Sequence, residues 1–591
     1  MNCSGNSLEG ADTLTDAPCE VPARRGFTVS CRGKTLLSRI DPVAQGERLA
    51  AEIPLKERTL YFCPSPLYGY GLALFLGKLK SDPLLKDSAV LCAEADGKLF
   101  DIAYNAFGEL CRNAAPADEG IRRLVLAKVS DPQSLCAFVR KTWGERRFRR
   151  VEVIRLTGGW QLFPQLYADC EQALRREMAL EWRNAMTMIH LGRLYARNFI
   201  RNLSILPCGE NIAALNYSSS PVLVLGAGPS LDPLLDGLSV FCGGSVPQPE
   251  GRRFKIICVD TCIPALRERG IKPDLAVILE SQHWNLRDFT GARGWDIDAA
   301  IDLSALPASG RVLGGRRFFF TTPWTGLALF GRLREAGLLP ETFPPLGSVG
   351  LSAVAIALRV SSGPVVTGGI DFSYTLDAYH ARSTPGHGDL ERKQSRLKSM
   401  INAGAALRDG VSVLLSKDGK SVRSDPAMRN YWDLFEQEFG GNPRLLDITG
   451  PGLPLGVKTV SRAEAFGILN GGSGFPIQAG PSPGASPAGA GTFPGREKTA
   501  AFIRRETDTL EALRDMLSGA RAMDSFLFEE YLDAADYLWA HFPECAGGGR
   551  RPPCTDLSFL KRVRAGTEYF SALWEMAHNA LTHISSRSSL L

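Results

Sequence analysis

Between Ser218 and about Ala403, short apolar runs recur, each followed by a helical pattern. The runs are Val222–Leu225, Lys255–Val259, Leu275–Leu279, Ala300–Leu303, Arg317–Thr321 and Val365–Ile370. Strands apolar on both faces need cover on both faces, and parallel neighbours need a crossover helix between them. The pattern therefore predicts an α/β fold: a central Rossmann-like, mostly parallel sheet with helices on both faces, over 218–468. At 591 residues the chain is too long for one core. Residues 1–20 read as disordered on polarity, 21–165 as a smaller N-terminal α/β domain and 166–217 as a connecting helix. The Gly/Pro/Ser-rich stretch 469–496 reads as a flexible linker, and 497–591 as a C-terminal helical module.

Charge narrows the partners. A net charge of +5 gives no case for nucleic acid. The basic run Arg140–Val153 reads as a solvated helix face. The start of the chain lacks a basic segment followed by an apolar core, so no secretory signal is expected. No window offers the ~18 uninterrupted apolar residues of a membrane span. The 14 cysteines are scattered, and no Cys/His spacing suggests zinc. Reduced cysteines in the cytoplasm fit this pattern best.

Four stretches carry candidate chemistry. In "PVLVLGAGPSLDPLL" a strand ends in Gly226-Ala227-Gly228, where bare backbone admits a ligand or simply makes a tight turn. Ser230 or Asp232 is expected to cap the next helix, with Pro233 in its first turn, and free N–H groups there suit a phosphate. The third glycine of a dinucleotide motif is replaced by Leu231, and no Gly-Lys-Ser/Thr follows. In "KIICVDTCIPALRERGIKPDLAVILESQ" the strands end in Asp260 and Thr261, then in Glu280, Ser281 and Gln282, where sheet ligands bind. Asp260 as a helix cap explains the first of these equally well. Gly347, Ser348, Gly350 and Ser352 are small residues at a helix start, suited to an anion or to close helix packing. Finally, Gly368-Gly369-Ile370-Asp371 leads into a polar segment with Tyr374, Tyr379, His380, Arg382 and His387. These residue types can stabilise an anionic leaving group and accept a proton.

The ordered motifs "VLVLGAGPSLD", "CVDTCIPALRERGIKPDLAVILESQ", "GSVGLSAVAIAL" and "VVTGGIDFSY…YHA" resemble the motility-associated factor (Maf) family of flagellin glycosyltransferases. The central region is similar to bacterial sialyltransferases, which also carry Gly-x-Gly-Pro-Ser-Leu and Gly-Ile-Asp-Phe. The resemblance implies transfer of a nonulosonic acid, a sialic-acid-like sugar, from a CMP-activated donor to Ser or Thr hydroxyls of flagellin. It implies that Gly226, Gly228, Pro229 and Ser230 line the nucleotide, that Asp260 contacts nucleotide or sugar, and that Gly347 and Ser348 approach the donor carboxylate. Tyr379 falls where those enzymes hold a tyrosine against the departing phosphate. Ala227 replaces a frequent asparagine, and Ser373 replaces a second phosphate-facing tyrosine, with Tyr374 adjacent.

A keto-sugar leaves CMP through an oxocarbenium-like state, so leaving-group stabilisation is expected to dominate. His380 is the expected base, with Asp371 orienting the loop and His387 second. No metal and no permanently bound cofactor are expected. Two alternatives stay open: an ATP-dependent pyrophosphokinase of the hydroxymethyl-dihydropterin type, with Asp260, Glu280 and Asp371 near magnesium, and a non-catalytic flagellin-binding chaperone.

Overall fold

The computed structural model describes residues 17–113, 123–144, 147–242, 244–397, 409–471, 492–522, 524–545 and 551–587. Most of the expected disordered start and most of the expected linker lie outside these residues. The chain divides into two units, Met1–Ile189 with Phe542–Pro553, and His190–His541 with Cys554–Leu591.

In the first unit, β1 (Cys19–Pro22), β2 (Phe27–Cys31) and β3 (Lys34–Thr35) form an antiparallel sheet. A separate parallel sheet, in the order β6-β5-β4-β7, contains β4 (Thr59–Pro64), β5 (Ala89–Glu94), β6 (Leu124–Lys128) and β7 (Arg150–Val153). Every residue of β4 and β5 is buried, as expected for strands covered on both faces.

The second unit is built on nine strands. These are β8 (Glu210–Asn211), β9 (Val222–Leu225), β10 (Lys255–Val259), β11 (Leu275–Ile278), β12 (Asp298–Asp302), β13 (Arg317–Phe320), β14 (Val365–Gly368), β17 (Leu445–Ile448) and β18 (Lys458–Val460). A small antiparallel hairpin, β15 (Ser412–Leu415) and β16 (Ser421–Ser424), interrupts the series. The sheet order is β18-β17-β14-β9-β10-β11-β12-β13-β8, and every pairing in it is parallel. The expected parallel α/β core is therefore present. The sequence reading did not include β8, β17 and β18, which extend the sheet at both edges.

From β9 the chain builds outward through β13, then returns to place β14 on the other side of β9. That reversal is a topological switch point, where open sheets of this kind leave a crevice at the carboxyl ends of their strands. The helix Val349–Val360, almost wholly buried, packs on β9, β10, β11 and β14. Its small residues (Gly350, Ser352, Ala353 and Ala357) permit that close approach.

The long helix runs from Pro164 to Leu203. In its last turns Asn198 Nδ2 donates to the carbonyls of Ser281 and Ser304, and Asn202 Nδ2 to those of Leu303 and Ala305. The helix thus binds to the loops at the ends of β11 and β12. The C-terminal helices Arg496–Ser518, Ser525–Ala534 and Leu557–Arg587 fall in the same unit as the sheet rather than in a unit of their own. Arg332 forms a two-pronged ion pair with the buried Glu506, and Asp536 accepts the backbone N–H of Ala328. Among the described residues, no helix is long and apolar enough to cross a membrane.

Candidate functional site

The bare backbone after β9 is used first by the protein itself. Gly226 and Gly228 donate their N–H groups to the carbonyls of Gly368 and Gly369, so the loop after β9 continues pairing beside the loop after β14. A Cβ on Gly226 would stand 2.5 Å from the Gly369 carbonyl oxygen. One on Gly228 would stand 2.4 Å from Asp371 Oδ2. Gly369 adopts φ +75°, the left-handed region that favours glycine. Two loops crossing at backbone distance explain these glycines without a ligand.

Asp371 locks that crossing. Its carboxylate accepts the Ser230 N–H at 2.8 Å and the Ser230 hydroxyl at 2.6 Å. Ser230 Oγ also accepts the Gly369 N–H. Ser230 therefore stands at the N-cap of the helix Leu231–Phe241 without capping it through its side chain, against expectation, because its oxygen is committed to Asp371 and Gly369. Asp232 does not cap it either. It binds Arg269 at 2.8 Å and accepts the Arg382 N–H. Pro229 lies in the same loop.

Tyr379 and His380 sit over this crossing, both half-buried. The Ala381 N–H donates to the Ala227 carbonyl, and His380 Nδ1 lies 3.4 Å from the same oxygen. A carbonyl can only accept, so this contact selects the tautomer with Nδ1–H and leaves Nε2 with its lone pair. Burial lowers the His380 pKa from 6.5, which keeps the ring neutral at neutral pH. Tyr379 packs on His380 edge-on, with ring centroids 4.9 Å apart.

On the other side lie the ends of β10 and β11. Asp260 does not cap a helix through its side chain. It is 2 % exposed and accepts the Thr261 N–H and, at 2.7 Å, Asn285 Nδ2. The same Asn285 nitrogen donates to Asp288 at 3.1 Å, and Asn285 Oδ1 accepts the Ser309 hydroxyl. One amide thus ties two carboxylates together. Burial pushes Asp260 up to about 6, and burial together with the neighbouring Asp260 charge pushes Asp288 up to about 7. Glu280 is exposed and accepts the Gln282 N–H. Gln282 itself is half-buried. Arg287 reaches from this segment to Asp389 at 2.9 Å, beyond His380, and joins the loop after β11 to the helix Pro385–Lys393. Among the described residues, no three His, Cys, Asp or Glu side chains come together as a metal-holding group.

Thr261, Glu280, Gln282, Tyr379 and His380 thus lie with the Gly226–Ser230 loop at the carboxyl ends of the strands, where Asp260 and Gly369 are buried. Gly347, at φ +70°, and Ser348 precede the helix Val349–Val360; a Cβ on Gly347 would lie 3.3 Å from the Tyr431 ring. Other expected residues point into the protein. Tyr374 is wholly buried, its ring tilted against that of Tyr379 with centroids 4.8 Å apart, so it is packing beneath the surface ring rather than a group facing solvent. The Ser373 hydroxyl is taken by the carbonyls of Asp371 and Pro451. Ser281 and Ser352 are each 2 % exposed. His387 is buried, with Nε2 3.3 Å from Glu391.

The sequence reading missed Asn285 and Asp288, although "ESQHWNLRD" is a polar run directly after a strand and could have been read through to its end. It also missed Tyr195, whose hydroxyl is pushed up to about 12, chiefly by burial and next by Glu280. A tyrosine in a long amphipathic helix carries no signal that it reaches a strand end.

Three comparisons bear on this geometry. Residues 197–377 match the family model described as 6-hydroxymethylpterin diphosphokinase MptE-like. An uncharacterized protein of Treponema pallidum (strain Nichols) is 29% identical over 572 residues, covering 94% of this chain and 95% of that one. The solved structure of a Maf glycosyltransferase from Magnetospirillum magneticum AMB-1 superposes with a TM-score of 0.54 at 13% identity, covering 96% of this chain and 90% of that one. The resemblance carried by the four motifs thus extends to the fold, along nearly the whole chain.

Proposed function

We propose that this chain is a glycosyltransferase that moves a nonulosonic acid from a CMP-activated donor to Ser or Thr hydroxyls of flagellin, in the cytoplasm, in the service of filament assembly and motility. The observation that carries this reading is the likeness to the Maf glycosyltransferase fold, which includes the flanking N-terminal and C-terminal regions as well as the sheet. The strand-end geometry suits it. Tyr379 would stabilise the departing phosphate of CMP, and His380, neutral with Nε2 free, would take the proton of the acceptor hydroxyl. Asp371 is a positioning residue, since both its oxygens hold Ser230. Gly347 and Ser348 would approach the donor carboxylate, and Glu280 and Gln282 would meet ribose or sugar hydroxyls, with the buried Asp260 fixing Asn285 behind them. A single phosphate needs no metal clamp and no permanently bound cofactor.

The test is to incubate the full chain with CMP-nonulosonic acid and flagellin in the presence of a chelator, reading the intact mass of flagellin. A gain of one sugar residue per site, lost in Tyr379→Phe and His380→Ala, is expected. An unchanged mass with folded enzyme and flagellin would overturn the reading.

A second reading has its own support in the diphosphokinase family match and in the Asp260–Asn285–Asp288 cluster. Diphosphate transfer from ATP needs magnesium beside carboxylates. Thermal stabilisation by ATP only with magnesium, and none by CMP, would favour it.

A further inference from the structure

The ends of β14 and β17 and the starts of the helices Leu231–Phe241 and Arg462–Leu469 border a cavity of about 570 Å³. None of Asp260, Glu280, Gln282, Tyr379 and His380 lines it. Ser230 forms part of its wall, with its hydroxyl turned to Asp371, so the Asp371–Ser230 lock stands between this cleft and the site described above. The volume falls in the range of small-molecule sites, and the position beside the sheet's switch point is where such folds take ligands.

The lining has a definite chemistry. Lys420 comes from the turn of the β15–β16 hairpin, and Arg462 from the first position of the helix Arg462–Leu469, so two cations reach the cleft from separate elements. Arg462 commits Nη1 to the Pro233 carbonyl, which anchors its guanidinium at the cleft. Asp418 in the same hairpin turn accepts the Ser416 hydroxyl, which holds its carboxyl below the usual carboxylate range and keeps it an acceptor. It lies 3.3 Å from Lys420. Leu234 and Ile448 supply apolar wall. Two cations suit a dianionic phosphate. A carboxylate beside them repels a bare anion yet accepts from paired hydroxyls, and an apolar wall takes the face of a ring.

We propose that this cleft is a second ligand site, specific for a phosphomonoester carried on a hydroxylated ring. A nucleoside monophosphate and a sugar phosphate share that chemistry. The proposal goes beyond the glycosyltransferase reading and does not depend on it.

Hydrogen exchange on the full chain tests it, with CMP, glucose 1-phosphate and inorganic phosphate as separate probes. Saturable slowing of exchange across 445–464 by CMP or by glucose 1-phosphate, stronger than with inorganic phosphate, is expected. The more effective of the two identifies the source. Charge-assisted contacts of this kind are worth ~10-fold or more in affinity each, so Lys420→Ala and Arg462→Ala should weaken the effect by at least that factor. Lys420 is 78% exposed, so Lys420→Glu tests the site without threatening the fold. Tyr379→Phe should leave the protection intact. Absence of protection with both organic probes, or protection that survives Lys420→Glu, would overturn the proposal.

Discussion

The two parallel sheets of this chain follow one plan and finish it differently. In each, the chain builds outward from a first strand, β4 or β9, then returns to set a later strand, β7 or β14, on that strand's other side. In each, a Pro-Ser pair stands at or soon after the end of the first strand, and the second strand leads to an acid: Glu94 at the end of β5, Asp260 just past β10. In the N-terminal sheet this ring of polar groups is sealed. Ser65, held at φ +47°, donates to Glu94 at 2.7 Å, and Tyr167 and the Ala95 N–H add to the same carboxylate. Ser65 and Glu94 have no exposure at all. In the central sheet the corresponding serine turns to Asp371, and the strand ends keep Glu280 exposed and Asp288, Tyr379 and His380 half-buried. Topology makes the polar ring in both; only the loops decide whether a substrate can reach it. Strand topology alone therefore does not decide whether these groups can be reached.

The largest expected effect separates the two rings by activity. His380→Ala should cut transfer by about 10²–10⁴-fold, the usual worth of a positioned base, while leaving the thermal midpoint near that of the parent. Its wild-type rate should fall on the acid side at a pH below 6.5, because burial lowers the ring's pKa. A rate that tracks a higher pKa would move the base elsewhere.

Glu94→Ala should act the other way, on stability alone. It strands the donors of Ser65, Tyr167 and Ala95, at a cost of roughly 2–4 kcal/mol in urea unfolding. A loss of transfer with unchanged stability would break the comparison.

Gly228→Ala comes next. Its Cβ would meet Asp371 at 2.4 Å and force the two loops apart, for an expected loss of about 1–3 kcal/mol. A neutral result would mean the crossing is loose enough to open for a ligand.

Asp288→Asn sharpens the comparison through pH. The folded pKa of Asp288 is raised to about 7 from 3.8, so the protonated form is favoured in the folded state. Its contribution is fully present below about pH 4 and is lost as pH rises through 7. The variant should therefore gain stability relative to the parent over that window. A flat difference would show that folding does not raise the Asp288 pKa.

The smallest effect is at Ser352, whose hydroxyl is buried without a hydrogen-bond partner. Ser352→Ala should change stability by less than about 1 kcal/mol. A tenfold loss of donor affinity, measured by calorimetry, would instead place that hydroxyl on the ligand.

Much of this was legible before any coordinates. The runs at 222–225, 255–259 and 365–370 gave their strands within two residues, because a strand buried on both faces leaves an unbroken apolar signature. The strand β17, "LLDI", did not stand out. Its Asp447 is 0 % exposed and bonded to Lys417 at 2.6 Å, a polar residue inside a core that breaks the pattern. The glycines at 226 and 228 were recognised as a close approach, but their partner lies some 140 positions along the chain, and nothing local names it.

By itself, then, the sequence determined the class of fold and which residues would gather at the strand ends, since burial and turn chemistry are written in local patterns. The tertiary structure alone decided which of those residues face outward. It turned Tyr374 and His387 inward, tied Ser230 to Asp371, and joined Asp260 to Asp288 through Asn285. Each of these depends on a contact between distant segments, and a hydrogen bond or a packed ring fixes direction only when its partner is present.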